Sequence, residues 1–258
     1  MTKIYQQTFG KGKPVVLVHG WAMHTGIWQA FAQQLAKNYQ VTCIDLPGHG
    51  HSQKIESFTL EHISDALVNA VTVKNACWLG WSLGATVVLD IANRYPERVN
   101  ALVLLAGNPS FTQSSDWSGM NSAVLDAFAM QLHENCQATL LRFLSLQVNN
   151  LPDYKIILRA LKTAVEECAS PDKETLQCGL DILKHSDLRS VLAELAMPVS
   201  VILGAKDTLV PLKAGQNMLA LAPTITVNMI DNAGHVPFLS NPQRVLEIIT
   251  RFMDEQCV

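Results

Sequence analysis

Residues Ala76–Gly84 of this 258-residue chain, A-C-W-L-G-W-S-L-G, decide its fold. Four apolar residues typical of a buried strand lead into Gly80-Trp81-Ser82-Leu83-Gly84, and a helical pattern follows directly. A serine at such a sharp strand-to-helix turn has a strained backbone, and glycines two residues before and after it leave room for the neighbouring chain. The N-terminal dipole of the following helix favours negative charge there. Ser82 is therefore the candidate nucleophile.

Short apolar runs alternate with helical patterns on both sides of this stretch. The predicted strands are Val15–His19, Val41–Asp45, Ala76–Trp81, Ala101–Ala106, Val199–Leu203 and Ile225–Ile230. The predicted helices are Trp28–Lys37, Leu60–Val73, Leu83–Tyr95, Leu212–Leu221 and Pro242–Glu255. Runs rich in valine and leucine suit strands buried on both faces, and strand–helix alternation is typical of a parallel sheet. We expect an α/β fold, with a mostly parallel central sheet flanked by helices.

Residues 112–187 interrupt this alternation. They contain no strand-like run, and leucine, alanine and polar residues recur at helical spacing. We interpret the segment as a helical lid inserted between two parts of one core, residues 1–111 and 188–258. An insertion between two strands lies over the carboxyl ends of an open α/β sheet, where such sheets bind ligands.

A serine hydroxyl needs a neighbouring base to take its proton. The chain order Ser, Asp, His that accompanies this type of turn places the base after the last strand. Of the eight histidines, His235 lies there, in the loop Asn232–Pro237. Asp207 follows the preceding strand and is the candidate acid, which orients the imidazole and stabilises its charged form. Asp231 is the alternative, but it is only four residues before His235 on the same connection.

Attack by a serine on an ester builds negative charge on the carbonyl oxygen, which backbone N–H groups must stabilise. One expected donor is the residue after the nucleophile, Leu83. The second is expected from the loop His19–Ala22, where Gly20 permits a turn that points the Trp21 N–H inward. Because these donors act through the backbone, the side chains of Trp21 and Trp81 either form an apolar pocket wall or simply pack in the core.

Composition argues against several classes of function. A net charge of −3 provides no basic stripe for nucleic acid, and no polybasic tail suits an anionic membrane surface. No run reaches the ~18–20 apolar residues of a spanning helix, and the N-terminus lacks the apolar segment of a signal peptide. The six cysteines are scattered without metal-type spacing, so we expect free thiols. We expect a cytoplasmic monomer with no cofactor and no metal.

The whole chain resembles the family of pimeloyl-[acyl-carrier protein] methyl ester esterases of biotin synthesis, which have the α/β-hydrolase fold. The likeness rests on His19–Trp21, Asp45–Gly48, Trp78–Gly84, Pro96–Val99, Arg142–Gln147 and Gly179–Lys184. The early motifs are shared by many hydrolases, whereas the tryptophan-flanked serine turn and the lid segments are specific. Ala85 departs from the family pattern, where a second glycine commonly follows Gly84, and this affects packing rather than chemistry.

The resemblance implies a carboxylesterase that hydrolyses the methyl ester of a pimeloyl chain on acyl carrier protein and releases methanol. It places around the substrate Trp21, Ser82, Leu83, Phe143, Leu144, Ser145, Leu146, Gln147 and His235. The same triad occurs in broad-specificity small-ester carboxylesterases and in C–C-bond hydrolases. The triad alone therefore does not distinguish these enzymes from a methyl ester esterase. A non-catalytic hydrolase-like binding protein is a further alternative, and the intact triad argues against it.

Basic residues of the lid are candidates for binding the acidic carrier. Residues 153–168 form a predicted amphipathic helix, opened by Pro152 and capped by Asp153. Lys155 and Arg159 lie on one face of it and Arg142 on a neighbouring helix, so that a small basic patch is expected near the site. Its predicted apolar stripe contains Tyr154, Ile157, Leu158, Leu161 and Val165. The competing interpretation is an ordinary solvated helix face, since residues 112–187 hold ten acidic and only six basic residues.

Overall fold

The computed structural model describes residues 2–256 and contains one central sheet. Its strands are β1 Gln6–Phe9, β2 Lys13–Val18, β3 Tyr39–Ile44, β4 Ala76–Trp81, β5 Val99–Leu105, β6 Val199–Gly204 and β7 Thr226–Ile230. Their order across the sheet is β1-β3-β2-β4-β5-β6-β7. β1 is antiparallel to β3, and every other neighbouring pair is parallel. The predicted fold class is confirmed.

Strand β1 is the one that hydrophobic periodicity did not predict. Its residues are half-buried or exposed, and it covers the outer edge of β3. An edge strand with a solvated side tolerates the polar sequence Gln6-Gln7-Thr8-Phe9. Backbone pairing, with Gln6 opposite Ile44 and Phe9 opposite Val41, therefore defines this strand.

Helices cover both faces of the sheet and fill the segment between β5 and β6. They are α1 Gln29–Leu35, α2 Leu60–Ala70, α3 Leu83–Arg94, α4 Ser122–Glu134, α5 Cys136–Gln147, α6 Tyr154–Glu166, α7 Lys173–His185, α8 Arg189–Glu194, α9 Leu212–Leu221, α10 Pro237–Ser240 and α11 Pro242–Gln256. The predicted helix Trp28–Lys37 begins instead with a 3₁₀ turn at Thr25–Trp28, and its α-helical part is shorter.

Strand β4, which leads into Ser82, is buried along its whole length. Trp78 packs in the core on one face of the sheet, whereas Leu79 and Trp81 pack in the core on the other. Burial on both faces explains why the strand is a continuous apolar run. Each large side chain so buried contributes roughly 1.5–3 kcal/mol. The serine turn is thus built on a firmly held strand.

Two details of helices α6 and α7, within residues 112–187, differ from the sequence prediction. Asp153 occupies the N-cap position of α6, but its side chain makes no capping hydrogen bond because its backbone is not extended, with φ −98° and ψ 28°. The next helix, α7, does have a side-chain cap, because Asp172 accepts a hydrogen bond from the Thr175 N–H. Ile157 of the predicted apolar stripe is buried, whereas Tyr154 is 45% exposed. A tyrosine in the first turn keeps its hydroxyl in water.

The cysteines that the structure describes form no disulfide bonds. They are Cys43, Cys77, Cys136, Cys168 and Cys178, and Cys257 lies outside the described residues. Burial raises the pKa of the Cys43 thiol to about 12, so this thiol stays protonated. Within residues 2–256, no helix is both long and apolar enough to cross a membrane.

Candidate active site

The backbone turns sharply at Ser82, between β4 and α3. Its φ of 56° and ψ of −118° lie in a region that residues with side chains rarely adopt. A Cβ atom on Gly80 would lie 2.1 Å from the Gly84 carbonyl oxygen, and one on Gly84 would lie 2.4 Å from the Val18 carbonyl oxygen. Close backbone contact therefore requires both glycines, which is the physical basis of the G-x-S-x-G pattern. The turn presents the serine at the carboxyl end of β4.

Loops at the carboxyl ends of β4, β6 and β7 bring the candidate catalytic residues together. The His235 Nε2 atom lies 2.8 Å from the Ser82 Oγ atom, and the His235 Nδ1 atom lies 2.8 Å from an Asp207 carboxylate oxygen. All three side chains are buried. Because a carboxylate faces Nδ1, that nitrogen carries the ring proton, and Nε2 faces the serine hydroxyl as an acceptor. The imidazole is therefore placed to take the serine proton.

The Asp207 carboxylate is held in place by its own loop. One oxygen accepts backbone N–H bonds from Leu209 and Val210, at 2.8 and 3.0 Å, and the other oxygen faces the imidazole. Asp231, the alternative acid, is exposed on the surface. The carboxylate that faces the imidazole is thus that of Asp207, the candidate acid named from its place in the chain, and not that of the alternative, Asp231.

The two candidate oxyanion donors flank Ser82. Leu83 is the first residue of α3, so its N–H has no acceptor within the helix. The loop of Trp21 runs directly beside the serine, since a Cβ atom on Gly20 would lie 3.2 Å from the Ser82 Cβ atom. No acceptor within residues 2–256 is hydrogen-bonded to either the Trp21 or the Leu83 N–H. Both N–H groups are thus available to a ligand oxygen.

The two tryptophans near the serine have different surroundings. The Trp21 Nε1 atom donates to the Leu176 carbonyl oxygen of α7 at 2.8 Å, and its ring packs edge-on against Phe143 of α5, with centroids 4.8 Å apart. The Trp81 Nε1 atom donates to the His235 carbonyl oxygen at 2.8 Å. Trp21 therefore packs against helices α5 and α7, whereas Trp81 supports the loop of the candidate base.

The α5 residues that the resemblance placed around the substrate fall into two groups. Phe143, Leu144 and Gln147 are buried, and Leu146 is half-buried. The Gln147 amide has no hydrogen-bond partner among the described residues, which leaves a polar group for a ligand. Ser145 is exposed, and its hydroxyl donates to the Leu141 carbonyl oxygen at 2.9 Å. Because helix positions two residues apart lie on nearly opposite faces, the Ser145 side chain is not brought to the site with Phe143.

The candidate carrier-binding residues lie on the outer surface of the lid helices, where Arg142, Lys155 and Arg159 are exposed. Arg142 donates to the Gln131 side-chain oxygen, and its guanidinium lies over the Phe128 ring. Lysines and arginines elsewhere in the described residues do pair with carboxylates, among them Lys54, Arg94, Lys184, Arg189 and Arg244. The positive charge of the three lid residues is therefore not neutralised by a neighbouring carboxylate.

His19 and His49 are fully buried, and burial lowers the pKa of both imidazoles to about 3. The His19 Nδ1 atom donates to the Gly20 carbonyl oxygen at 2.8 Å, so its Nε2 atom is unprotonated and accepts the Leu46 N–H at 2.9 Å. Because both ring nitrogens of His19 are engaged, this residue does not serve as a base. It ties the loop of Trp21 to the loop after β3.

We expect the protein to lose stability as the pH falls below about 6.5. His19 and His49 stay neutral in the folded state down to about pH 3, whereas in the unfolded chain both take up a proton near pH 6.5. Between these pH values the unfolded state binds more protons, so each histidine removes about 1.4 kcal/mol of unfolding free energy per pH unit. Urea unfolding from about pH 7.5 down to about pH 4.5 measures this slope.

Two variants distinguish the contribution of the buried histidines to this slope from that of an exposed histidine. His49→Gln should reduce the slope by about half, since one of the two proton uptakes is lost. His185→Gln is the control, because His185 is exposed and should leave the slope unchanged. An unfolding free energy independent of pH over this range would contradict the neutral buried state of His19 and His49.

Comparison with known proteins identifies the fold family. A sequence model of the alpha/beta hydrolase fold family matches residues 13–242. An esterase from Exiguobacterium antarcticum has a TM-score of 0.88 at 20% identity, covering 98% of this chain and 96% of its own. The enol-lactonase from Burkholderia xenovorans LB400 has a TM-score of 0.85 at 18% identity, covering 98% and 97%. At sequence identities this low, the similarity shows only a shared fold, which is that of the α/β hydrolases.

Several curated proteins are similar over nearly their whole length. A "Pimeloyl-[acyl-carrier protein] methyl ester esterase" from Methylococcus capsulatus is 40% identical over 250 residues, 97% of this chain and 98% of that protein. A protein of the same name from Pectobacterium carotovorum is 38% identical, covering 98% and 99%. Another, from Vibrio cholerae, is 36% identical, covering 96% and 98%. The chain belongs to the family of pimeloyl-[acyl-carrier protein] methyl ester esterases, and the resemblance based on its motifs is confirmed.

Proposed function

We propose that this protein is a serine carboxylesterase that hydrolyses the methyl ester of pimeloyl-acyl carrier protein in biotin synthesis, releasing methanol. The observation that carries the proposal is the buried array of Ser82, His235 and Asp207. It occurs in a chain 36–40% identical to three esterases of that name. The proposal includes residues 112–187 as the lid and the cytoplasm as the location.

The first half of the proposed reaction forms an acyl-enzyme. Ser82 Oγ attacks the ester carbonyl carbon while His235 Nε2 takes the hydroxyl proton, and Asp207 stabilises the resulting imidazolium. The Trp21 and Leu83 N–H groups stabilise the oxyanion of the tetrahedral intermediate. The intermediate collapses by breaking the C–O bond to the methoxy group, to which His235 returns the proton. Methanol leaves, and the pimeloyl chain stays as an ester on Ser82.

The second half releases the acid. Water attacks the acyl-enzyme carbonyl as His235 takes a proton from it, and the same two N–H groups stabilise the second oxyanion. Collapse of this intermediate breaks the bond to Ser82 Oγ, which regains a proton from His235. One water is consumed, and one methanol and one carboxylic acid are formed for each turnover.

Apolar side chains under the lid suit the methylene chain of the proposed substrate. Trp21 and Phe143 are in contact, and both are buried beside the serine turn. Burial of a methylene group in such surroundings is worth about 0.8 kcal/mol. Gln147 adds an unpartnered amide to this otherwise apolar wall. These contacts support binding of a medium-length chain with a polar group.

The substrate assignment is tested by offering the purified protein pimeloyl-carrier methyl ester and simple aryl esters side by side. Mass spectrometry of the carrier should show the loss of one methylene unit as the methyl ester becomes the free acid. Ser82→Ala protein is the matched control and should leave the carrier mass unchanged. Rapid aryl ester hydrolysis without any change in carrier mass would instead favour a broad small-ester carboxylesterase.

We also propose that Arg142, Lys155 and Arg159 dock the acidic carrier protein. All three are exposed on the lid helices, and none is paired with a carboxylate among the described residues. Exposed charges of one sign steer an oppositely charged partner and act mainly on the association rate. The docking surface would then deliver the substrate at the lid, the element that covers Ser82.

Reversing these charges should weaken activity on the carrier-bound ester selectively. With Arg142, Lys155 and Arg159 all changed to Glu, we expect kcat/KM for that ester to fall about ten- to a hundredfold. Activity on a small free ester should stay nearly unchanged, because the triad and the oxyanion donors are untouched. The difference should shrink as salt is added, since exposed charges are screened within ~8–10 Å at physiological ionic strength.

Lys37→Glu is a control for charge reversal at an exposed site elsewhere, because Lys37 lies two residues before the amino end of β3, whereas the candidate triad lies at the carboxyl ends of the strands. It should leave both activities unchanged. Equal losses of the triple variant on both substrates would show that the lid itself was disturbed. If activity on neither substrate fell, the three residues would have no docking role and would simply be part of a solvent-exposed helix surface.

A further inference from the structure

We infer that the lid helices align the catalytic residues as well as covering them, a positioning role that rests on the triad chemistry proposed above. Three separate loops carry the proposed oxyanion donor Trp21, the acid Asp207 and the base His235. Each of these loops donates a hydrogen bond to a main-chain carbonyl oxygen of the lid. The donors are Trp21 Nε1 to Leu176 at 2.8 Å, Thr208 Oγ1 to Leu146 at 3.2 Å, and the His235 N–H to Gln147 at 3.1 Å.

Two of these acceptors are the last carbonyl groups of helix α5. The final four carbonyls of a helix have no partner within the helix and are satisfied by other groups. Leu146 accepts from the acid loop and Gln147 from the base loop, so one helix end binds both loops. Helical geometry holds the two neighbouring carbonyls in a fixed relation. The end of α5 therefore sets the spacing between the acid and base loops.

The base loop is held between the sheet and the lid. On the sheet side, the His235 carbonyl oxygen accepts from Trp81 Nε1 at 2.8 Å. On the lid side, the His235 N–H donates to the Gln147 carbonyl oxygen. Gly234 allows this close approach, because a Cβ atom there would lie 2.8 Å from the same oxygen. The lid thus supplies one of the two main-chain hydrogen bonds that fix the candidate base.

Burial of the triad connects this alignment to substrate entry. Ser82 is 2% exposed and His235 is 1% exposed, so a carrier-bound chain enters only when part of the lid moves. Lid movement breaks the hydrogen bonds to Leu146, Gln147 and Leu176, and closure over the substrate restores them. The site is therefore fully aligned only when the lid is closed, which makes Thr208 and Gly234 positioning residues.

Thr208→Val tests the acid-loop bond, since it removes the hydroxyl donor with little change in shape. We expect kcat for an aryl ester to fall about threefold with KM little changed. The acid limb of the pH–kcat profile should shift to lower pH, because a less well-placed carboxylate stabilises the imidazolium less. Thr208→Ser restores the donor and should restore both properties. Thr226→Val is the control, removing a threonine hydroxyl that also bonds a main-chain carbonyl oxygen, that of Val199, but at the amino end of β7.

Gly234→Ala tests the base-loop bond by adding one methyl group against the Gln147 carbonyl oxygen. Displacement by a few tenths of an ångström should lower kcat about tenfold or more. Gly215→Ala is the matched control, because its Cβ atom would meet only side-chain atoms of Leu203 and Val227 in the core. Thermal unfolding of each variant shows whether the fold is intact, and Thr208→Val remains informative if Gly234→Ala does not fold.

The inference is overturned if Thr208→Val and a folded Gly234→Ala both keep wild-type kcat and pH profiles on the aryl ester. Failure of the proposed function has a different signature. If Ser82→Ala kept the wild-type rate, the proposed triad mechanism would be wrong. If the wild-type protein did not hydrolyse the carrier-bound methyl ester, only the proposed substrate would be wrong. Because the alignment experiment uses an aryl ester, it does not depend on the identity of the natural substrate.

Discussion

Ser82→Ala is expected to lower the turnover of ester substrates by on the order of 10⁶-fold. The variant lacks the Oγ atom that His235 Nε2 contacts at 2.8 Å, so no acyl-enzyme forms. What remains is binding and the two proposed oxyanion donors, which together supply only a small part of the rate. Steady-state kinetics measure the loss, and intact-protein mass spectrometry after a brief incubation with substrate measures the missing acyl adduct.

The fold of this variant should be unaffected. Alanine occupies the same backbone position, and the turn is held by the close contacts of Gly80 and Gly84 rather than by the serine hydroxyl. Thermal unfolding within a few degrees of wild type is therefore the control. If the variant kept even a tenth of wild-type esterase activity, the assignment of Ser82 as nucleophile would be wrong.

Asp207→Asn is expected to lower kcat by about 10⁴-fold while leaving the protein folded. Two backbone N–H groups, from Leu209 and Val210, bind one carboxylate oxygen and will hold the asparagine carbonyl oxygen in the same place. The asparagine NH₂ group then faces His235 Nδ1, at the position of the second carboxylate oxygen. Since Nδ1 must now accept, the ring proton moves to Nε2, which no longer takes the proton of Ser82.

Asp231→Asn provides the matched comparison for this prediction. It makes the same chemical change at an exposed carboxylate four residues before His235. We expect its kcat and pH profile to equal those of the wild type. A fully active Asp207→Asn variant together with an impaired Asp231→Asn variant would transfer the role of the acid to Asp231.

The serine turn was predictable from the chain alone because its cause is local. Gly80 and Gly84 lie two residues from Ser82, and their contacts involve backbone that a strand–turn–helix necessarily brings close. The order of Ser82, Asp207 and His235 was also predictable, since each follows a strand of a parallel sheet and such strands end at one edge. Burial of those strands on both faces left a clear apolar pattern.

Features that depend on pairing between distant segments were missed or left open. Strand β1 has a polar sequence and is defined by hydrogen bonds to β3, more than thirty residues away. The placement of Ser145 with Phe143 is a different case, because it came from the family resemblance, and the local geometry of one helix directs residues two apart to different faces. The sequence named Asp207 as the candidate acid and Asp231 as the alternative, but the hydrogen bond between the Asp207 carboxylate and the ring joins two loops and appeared only in the structure.

The contacts of the lid belong to the same category. The bonds from the loops of Asp207 and His235 end on carbonyl oxygens of α5, and every residue has such a group, so side-chain identity carries no signal for them. The neutral state of His19 likewise follows from burial and from partners on two loops. Sequence patterns report local backbone preference and apolar periodicity, and these sufficed to predict the fold and to name a candidate nucleophile. Alignment of the triad and its connection to the lid arise from packing between remote segments, and therefore emerged only in three dimensions.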